Sequence, residues 1–356
     1  MTELSEEQKK EIKDFLNKNI NLEEFKLELK SREEHRISVV ELITKESLNK
    51  MDEISFGKLI SNLWASDFWG NKDYLIESII QKNSGIENIK KALYNLLYGE
   101  GSIYERFNNY KIKGLGPSSI TEILCLYDPE KYGIWNFRVR KSLKILKFNN
   151  LPLEKYQITG NEYQKINDSI GEIAKELAKE LKNFGIPKAD MLTTDYFLYK
   201  IPKNKIKVDE ETEDESNFDH DEIRDRIKEI GINLGFEAET ESEIATGSQI
   251  DVIWSTKIAN LGEIRYIFEV QKSGSIDSLI VNLQRSLNNP TVQKVIAVSD
   301  KKQLEKIKKE ISTIKALVGS GKLGYWSVSD VNDTYENLSK VMENINKLEL
   351  VKTKYE

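Results

Sequence analysis

The chain has 356 residues, 31% of them charged and 39% hydrophobic, with a formal net charge of −6. That length predicts two domains, each with a core of its own. No apolar run reaches the roughly 18 residues of a membrane span, and one cysteine, Cys125, excludes an intrachain disulfide framework or a cysteine zinc site. With only His35 and His220, a histidine-based metal site is not expected. The opening residues lack an apolar signal core, so the expectation is a cytoplasmic protein that makes no use of a membrane.

The mean charge hides its distribution. Nine acids and no Lys or Arg fall within 209–222, so the rest of the chain is net +3 and a local basic face is allowed. Residues 1–205 read as mostly helical. Ser5-x-x-Gln8 is a capping box for a first helix, with Ile12, Phe15 and Leu16 as its apolar face. Helical spacing continues over 22–30, 37–48, 56–65, 72–81 and 86–97, and again over 161–184 through Ile166, Ile170, Ile173, Leu177 and Leu181.

Between these lies Tyr110-Lys-Ile-Lys-Gly-Leu-Gly-Pro-Ser-Ser-Ile-Thr-Glu-Ile-Leu124. Gly114 and Gly116 permit a tight turn and close approach, and Pro117 suits the first turn of the next helix. Free amides at that helix start, with Lys113 nearby, would bind one DNA phosphate without reading sequence. The other reading is an inter-helix turn with no ligand.

The motif resembles the helix-hairpin-helix element. About twenty residues on, Gly133-Ile-Trp-Asn-Phe-Arg-Val-Arg-Lys-Ser-Leu143 is similar to the second signature of the endonuclease III-type DNA glycosylases. Asn136 stands where that superfamily has its catalytic Asp, and Ser118 where bifunctional members carry a nucleophilic Lys. The resemblance implies a DNA-binding scaffold without glycosylase chemistry, with Lys113, Gly114, Leu115, Gly116 and Ser118 as its contact residues. Trp69 and Trp135 could stack on bases, but burial is the commoner fate of tryptophan.

An acidic linker is expected over 206–218, then a second domain over 219–356. Helical spacing runs over 221–234, followed by two strand-like runs, Gly247-Ser-Gln-Ile-Asp-Val-Ile-Trp254 and Tyr266-Ile-Phe-Glu-Val-Gln-Lys272. In the second run Glu269 and Gln271 share one face, and Phe268, Val270 and Lys272 the other. If the runs pair, Asp251 and Glu269 converge. Two carboxylates and a backbone carbonyl suit Mg²⁺. A helix over 275–287, a strand over 292–299, a strand near 324–328 and a last helix from about 331, carrying Leu338, Val341, Ile345 and Leu348, complete the domain. Glu222 and Glu229 are read as lying on a solvated helix face, with a further carboxylate for the site as the other reading.

This order and the Asp…Glu-x-Gln pattern resemble the PD-(D/E)XK, restriction endonuclease-like nucleases. Gln271 stands where the family pattern has Lys, a departure shared with some restriction endonucleases of the superfamily. The resemblance implies an α/β domain with a central mixed sheet, joined to the all-helical helix-hairpin-helix domain. It also implies a Mg²⁺-dependent deoxyribonuclease, with Mn²⁺ as a substitute. Asp251, Glu269 and the Val270 carbonyl would hold the cation, and Gln271 would complete the catalytic set. Double-stranded DNA is the expected partner, and a double-strand cut would favour a homodimer. The alternative is an inactive nuclease fold serving as a DNA-binding or defence-complex protein.

Overall fold

In the computed structural model, Ser5 starts the first helix with the capping box its spacing predicts: its side chain takes the Gln8 N–H, and the Gln8 side chain returns to the Ser5 N–H. The structure describes residues 3–67, 72–186, 188–205, 218–245, 248–257, 262–272, 275–348 and 355. Trp69, Gly247, Gly274 and the linker stretch 206–217 lie outside them. The chain divides into two units: Met1–Ser66 with Lys72–Thr212 and Lys352–Glu356, and Asp67–Asn71 with Glu213–Val351.

The described part of the first unit is helical: α1 (Glu6–Asn19), α2 (Leu22–Leu42), α3 (Lys45–Lys50), α4 (Glu53–Ser61), α5 (Lys72–Lys82), α6 (Ile86–Tyr98), α7 (Ile103–Asn109), α8 (Pro117–Tyr127), α9 (Phe137–Ile145), α10 (Gly160–Lys182) and α11 (Met191–Lys205). Helix α2 runs unbroken where apolar spacing predicts two segments. Its middle turns bury a charged face instead: Arg32 donates to Asp195 at 2.8 Å and to Glu28 at 3.2 Å, and lies over the Trp64 ring. A buried arginine so satisfied continues a helix without an apolar signature. In α10 the predicted stripe is fully buried from Tyr163 and Ile166 to Leu181. Each such side chain stabilises the unit by about 1.5–3 kcal/mol over its exposed state.

The second unit is a mixed five-stranded sheet between two helical layers. Its elements are α12 (His220–Asn233), β1 (Glu237–Ala245), β2 (Ser248–Lys257), β3 (Glu263–Val270), α13 (Ile276–Leu287), β4 (Val292–Ser299), α14 (Lys301–Ser312), α15 (Lys315–Val318), β5 (Leu323–Ser327) and α16 (Val328–Asn346). The strands lie in the order β1-β2-β3-β4-β5, antiparallel through β3 and parallel from β3 to β5. Ile227 and Ile230 of α12 and Val331 of α16 pack with Val252, Trp254, Phe268 and Val270 on one face. Leu279 and Leu283 of α13 and Leu304 and Ile307 of α14 pack with Ile253, Ile267 and Val295 on the other. Both faces of the parallel half are thereby covered, as such sheets require.

Three sequence expectations change. Strand β1 has no counterpart in the predicted order: its Glu-rich sequence shows little apolar alternation, with Ala238 buried among exposed acids, a composition suited to a sheet edge. Phe218 packs in the α12-side core, and Asp219 caps α12 by accepting from the Glu222 N–H, so the folded unit begins inside the expected linker. On α16, Val341, Ile345 and Leu348 are exposed rather than core.

Candidate metal centre and hairpin loop

Strands β2 and β3 bring the two predicted carboxylates together. Val252 pairs with Phe268, so the next step along the register sets Asp251 level with Glu269. The β2 alternation breaks at this point: Ile250 packs on the α13 side, while Val252 and Trp254 pack on the α12 side. On β1, opposite Asp251, Glu241 has φ +54°. A left-handed residue outside glycine costs on the order of 1 kcal/mol, and such local irregularity in a strand pair re-aims side chains.

Asp251 Oδ2 accepts the Val270 N–H at 2.7 Å. Its Oδ1 lies 3.3 Å from His220 Nε2, which is also 3.1 Å from the Val270 carbonyl oxygen. Hydrogen bonding to Asp251 pushes the imidazole up to about 9, against the opposing effect of burial. Glu269 is buried. Its Oε2 accepts from the Asn282 amide of α13 at 3.5 Å, whereas its buried Oε1 has no hydrogen-bond partner. Burial first, and the Asp251 charge second, push its carboxyl up to about 8.

Gln271 follows β3 and is buried. Its N–H donates to the Val298 carbonyl, and its own carbonyl accepts from Ser299. Lys272 reaches the other face, with its ammonium 5.9 Å from the centre of the Phe218 ring. Glu222 and Glu229 are not on a solvated face. Glu222 pairs with Arg226 at 2.7 Å, and Glu229 accepts from the Tyr335 hydroxyl at 2.8 Å. Sequence reasoning missed His220 and Asn282, since neither has a period or spacing relative to Asp251 or Glu269.

An orphaned carboxylate oxygen beside a second carboxylate fits a divalent cation, which would satisfy the acceptor and remove the like-charge repulsion. Hard oxygen donors suit Mg²⁺ or Mn²⁺. Among the described residues, no group of three or more His, Cys, Asp or Glu side chains is gathered as a metal cluster. The fit therefore rests on two carboxylates and a carbonyl.

In the first unit, Gly114 sits in the left-handed region at φ +92°, and a Cβ there would come within 2.9 Å of Ile79. A Cβ on Gly116 would meet the Tyr156 hydroxyl at 2.3 Å, so both glycines are demanded by packing. The amide of Asn83 clamps the loop, accepting from the Lys113 N–H at 2.9 Å and donating to the Lys113 carbonyl at 2.8 Å. The Lys113 side chain is exposed and Ser118 half-buried. Leu115 is buried, with its N–H donated to the Ile112 carbonyl. Gly116 caps α8 without a side chain, and Pro117 opens it. Asn136 is the N-cap of α9, accepting from the Val139 N–H at 2.9 Å, and Trp135 is fully buried.

No helix among the described residues is long and apolar enough to cross a membrane. No protein-family model, curated protein or solved structure matches the chain.

Proposed function

We propose that this protein is a metal-dependent DNA endonuclease of the PD-(D/E)XK type, with the helical unit as a glycosylase-like module that binds DNA and has no base-excision chemistry. The observation that carries the reading is the pairing of β2 with β3, which sets Asp251 beside a buried Glu269 whose Oε1 has no partner.

Asp251, Glu269 and the Val270 carbonyl would hold Mg²⁺, with Mn²⁺ as a substitute. Bound there, the cation supplies charge stabilisation to the phosphate and lowers the pKa of a bound water. The Val270 N–H fixes Asp251 Oδ2 and leaves Oδ1 to face the site. Gln271 orients the attacking water and does not take its proton, since an amide is not a base at neutral pH. Lys113 and the amides at the start of α8 hold a backbone phosphate of double-stranded DNA. Restriction of foreign DNA is the setting this chemistry suits, and a homodimer would cut both strands.

Gln271 in place of a lysine supports a second reading, a DNA-binding protein without cleavage. Incubating plasmid, modified and unmodified, with the protein and Mg²⁺ or Mn²⁺ separates the two. Nicking or linearisation that disappears in Asp251→Asn supports the nuclease. Binding without cleavage on every substrate supports the alternative.

A further inference from the structure

The ring of His220 faces the oxygens assigned to the metal. Its Nε2 is 3.1 Å from the Val270 carbonyl oxygen and 3.3 Å from Asp251 Oδ1. A carbonyl and a carboxylate only accept, so the hydrogen in these contacts belongs to Nε2. The other carboxylate oxygen, Oδ2, is held by the Val270 N–H. The imidazole thus takes the Asp251 oxygen and the Val270 oxygen that a cation would need. The ring is also held from behind, with Nδ1 3.4 Å from Asp221 Oδ1. Its backbone is the first residue of α12, whose cap is Asp219.

We propose that His220 is a built-in competitor for the divalent cation, so that metal binding displaces the imidazole from Asp251 and Val270. This rests on the reading of Asp251, Glu269 and Val270 as the metal site. A hydrogen-bond donor and a metal ion draw on the same lone pairs, so the free energy of the His220 contacts is subtracted from that of metal binding. The device sets how much free cation the site needs before it fills.

The test is Mn²⁺ binding to the full chain, read from the free-ion electron paramagnetic resonance signal, in wild type, His220→Ala, His220→Gln and Asp251→Ala. The expected result is about tenfold tighter binding in His220→Ala, equivalent to about 1.4 kcal/mol, the lower end for hydrogen bonds to charged groups. His220→Gln, which keeps a neutral donor, should fall between it and wild type. Equal affinity in wild type and His220→Ala overturns the inference. Weaker binding in His220→Ala also overturns it and makes His220 a ligand. Absence of Asp251-dependent binding in every protein removes the metal reading itself, and the competitor with it.

A measurement on wild type needs no folded variant. The chain has only two histidines, so acylation by diethylpyrocarbonate can be followed at each. Mg²⁺ should accelerate modification of His220 and leave His35 unchanged. Protection of His220 by Mg²⁺, or no effect on it, overturns the proposal.

Discussion

Asp251 divides two tasks between its oxygens: Oδ2 anchors on the Val270 N–H, and Oδ1 faces His220 and the candidate cation position. Glu269 sits beside it with one oxygen unpaired. Both carboxylates were legible in the sequence because strand period places chemistry on a face. His220 was not legible, since its approach depends on where α12 starts in space, and composition alone argued against it. Glu229 shows the same limit. Its position on α12 suggested solvent, yet burial pushes its carboxyl up to about 7 from 4.5. A folded value above the unfolded one means that the ionised form is disfavoured in the fold. The cost is absent below about pH 4.5, grows as pH rises toward 7 and is constant above it. Glu229→Gln keeps an acceptor for Tyr335, so it should leave stability nearly unchanged at pH 4.5 and raise it by up to about 3 kcal/mol at pH 8. Urea midpoints at the two pH values check this. A gap between the proteins that does not widen with pH contradicts the assignment.

At the scale of elements, regular apolar periods were readable and charged or edge segments were not. The β4 boundaries and the α10 stripe follow from spacing alone. Strand β1 is acidic, and α2 buries Arg32 at its centre, so neither carries an apolar period through its whole length. Position 136 can be tested directly. Asn136 closes the first turn of α9 through the Val139 N–H. Asn136→Ala should cost about 1 kcal/mol of stability, while Asn136→Asp, which also caps, should cost little. Thermal unfolding gives the comparison, and equal losses in both would contradict the cap. Position 231 shows how closely α12 meets β2: a Cβ on Gly231 would lie 2.4 Å from the Trp254 ring nitrogen, and that nitrogen donates to the Ile227 carbonyl at 3.0 Å. Gly231→Ala should therefore destabilise the second unit by about 1–3 kcal/mol, the range for overpacking. A variant as stable as wild type to urea would show that the indole moves aside at no cost.

At the scale of the whole molecule, the account assigns DNA binding to one unit and hydrolysis to the other. The two-unit organisation was visible in the length and in the acidic run, although folded structure begins by Phe218, within the expected linker. Lys113 is exposed on a loop whose backbone Asn83 fixes. Lys113→Ala should weaken binding by a similar factor on all duplex sequences. It should also reduce the slope of log affinity against log salt by about 1. A sequence-selective loss, or an unchanged slope, would contradict phosphate contact.

The most direct measurement is cleavage of duplex DNA with Mg²⁺ by wild type, Asp251→Ala and Lys113→Ala, with binding followed in the same samples. The account predicts that wild type cuts, that Asp251→Ala binds without cutting, and that Lys113→Ala cuts only at higher DNA concentration. Cutting by Asp251→Ala at the wild-type rate would contradict it.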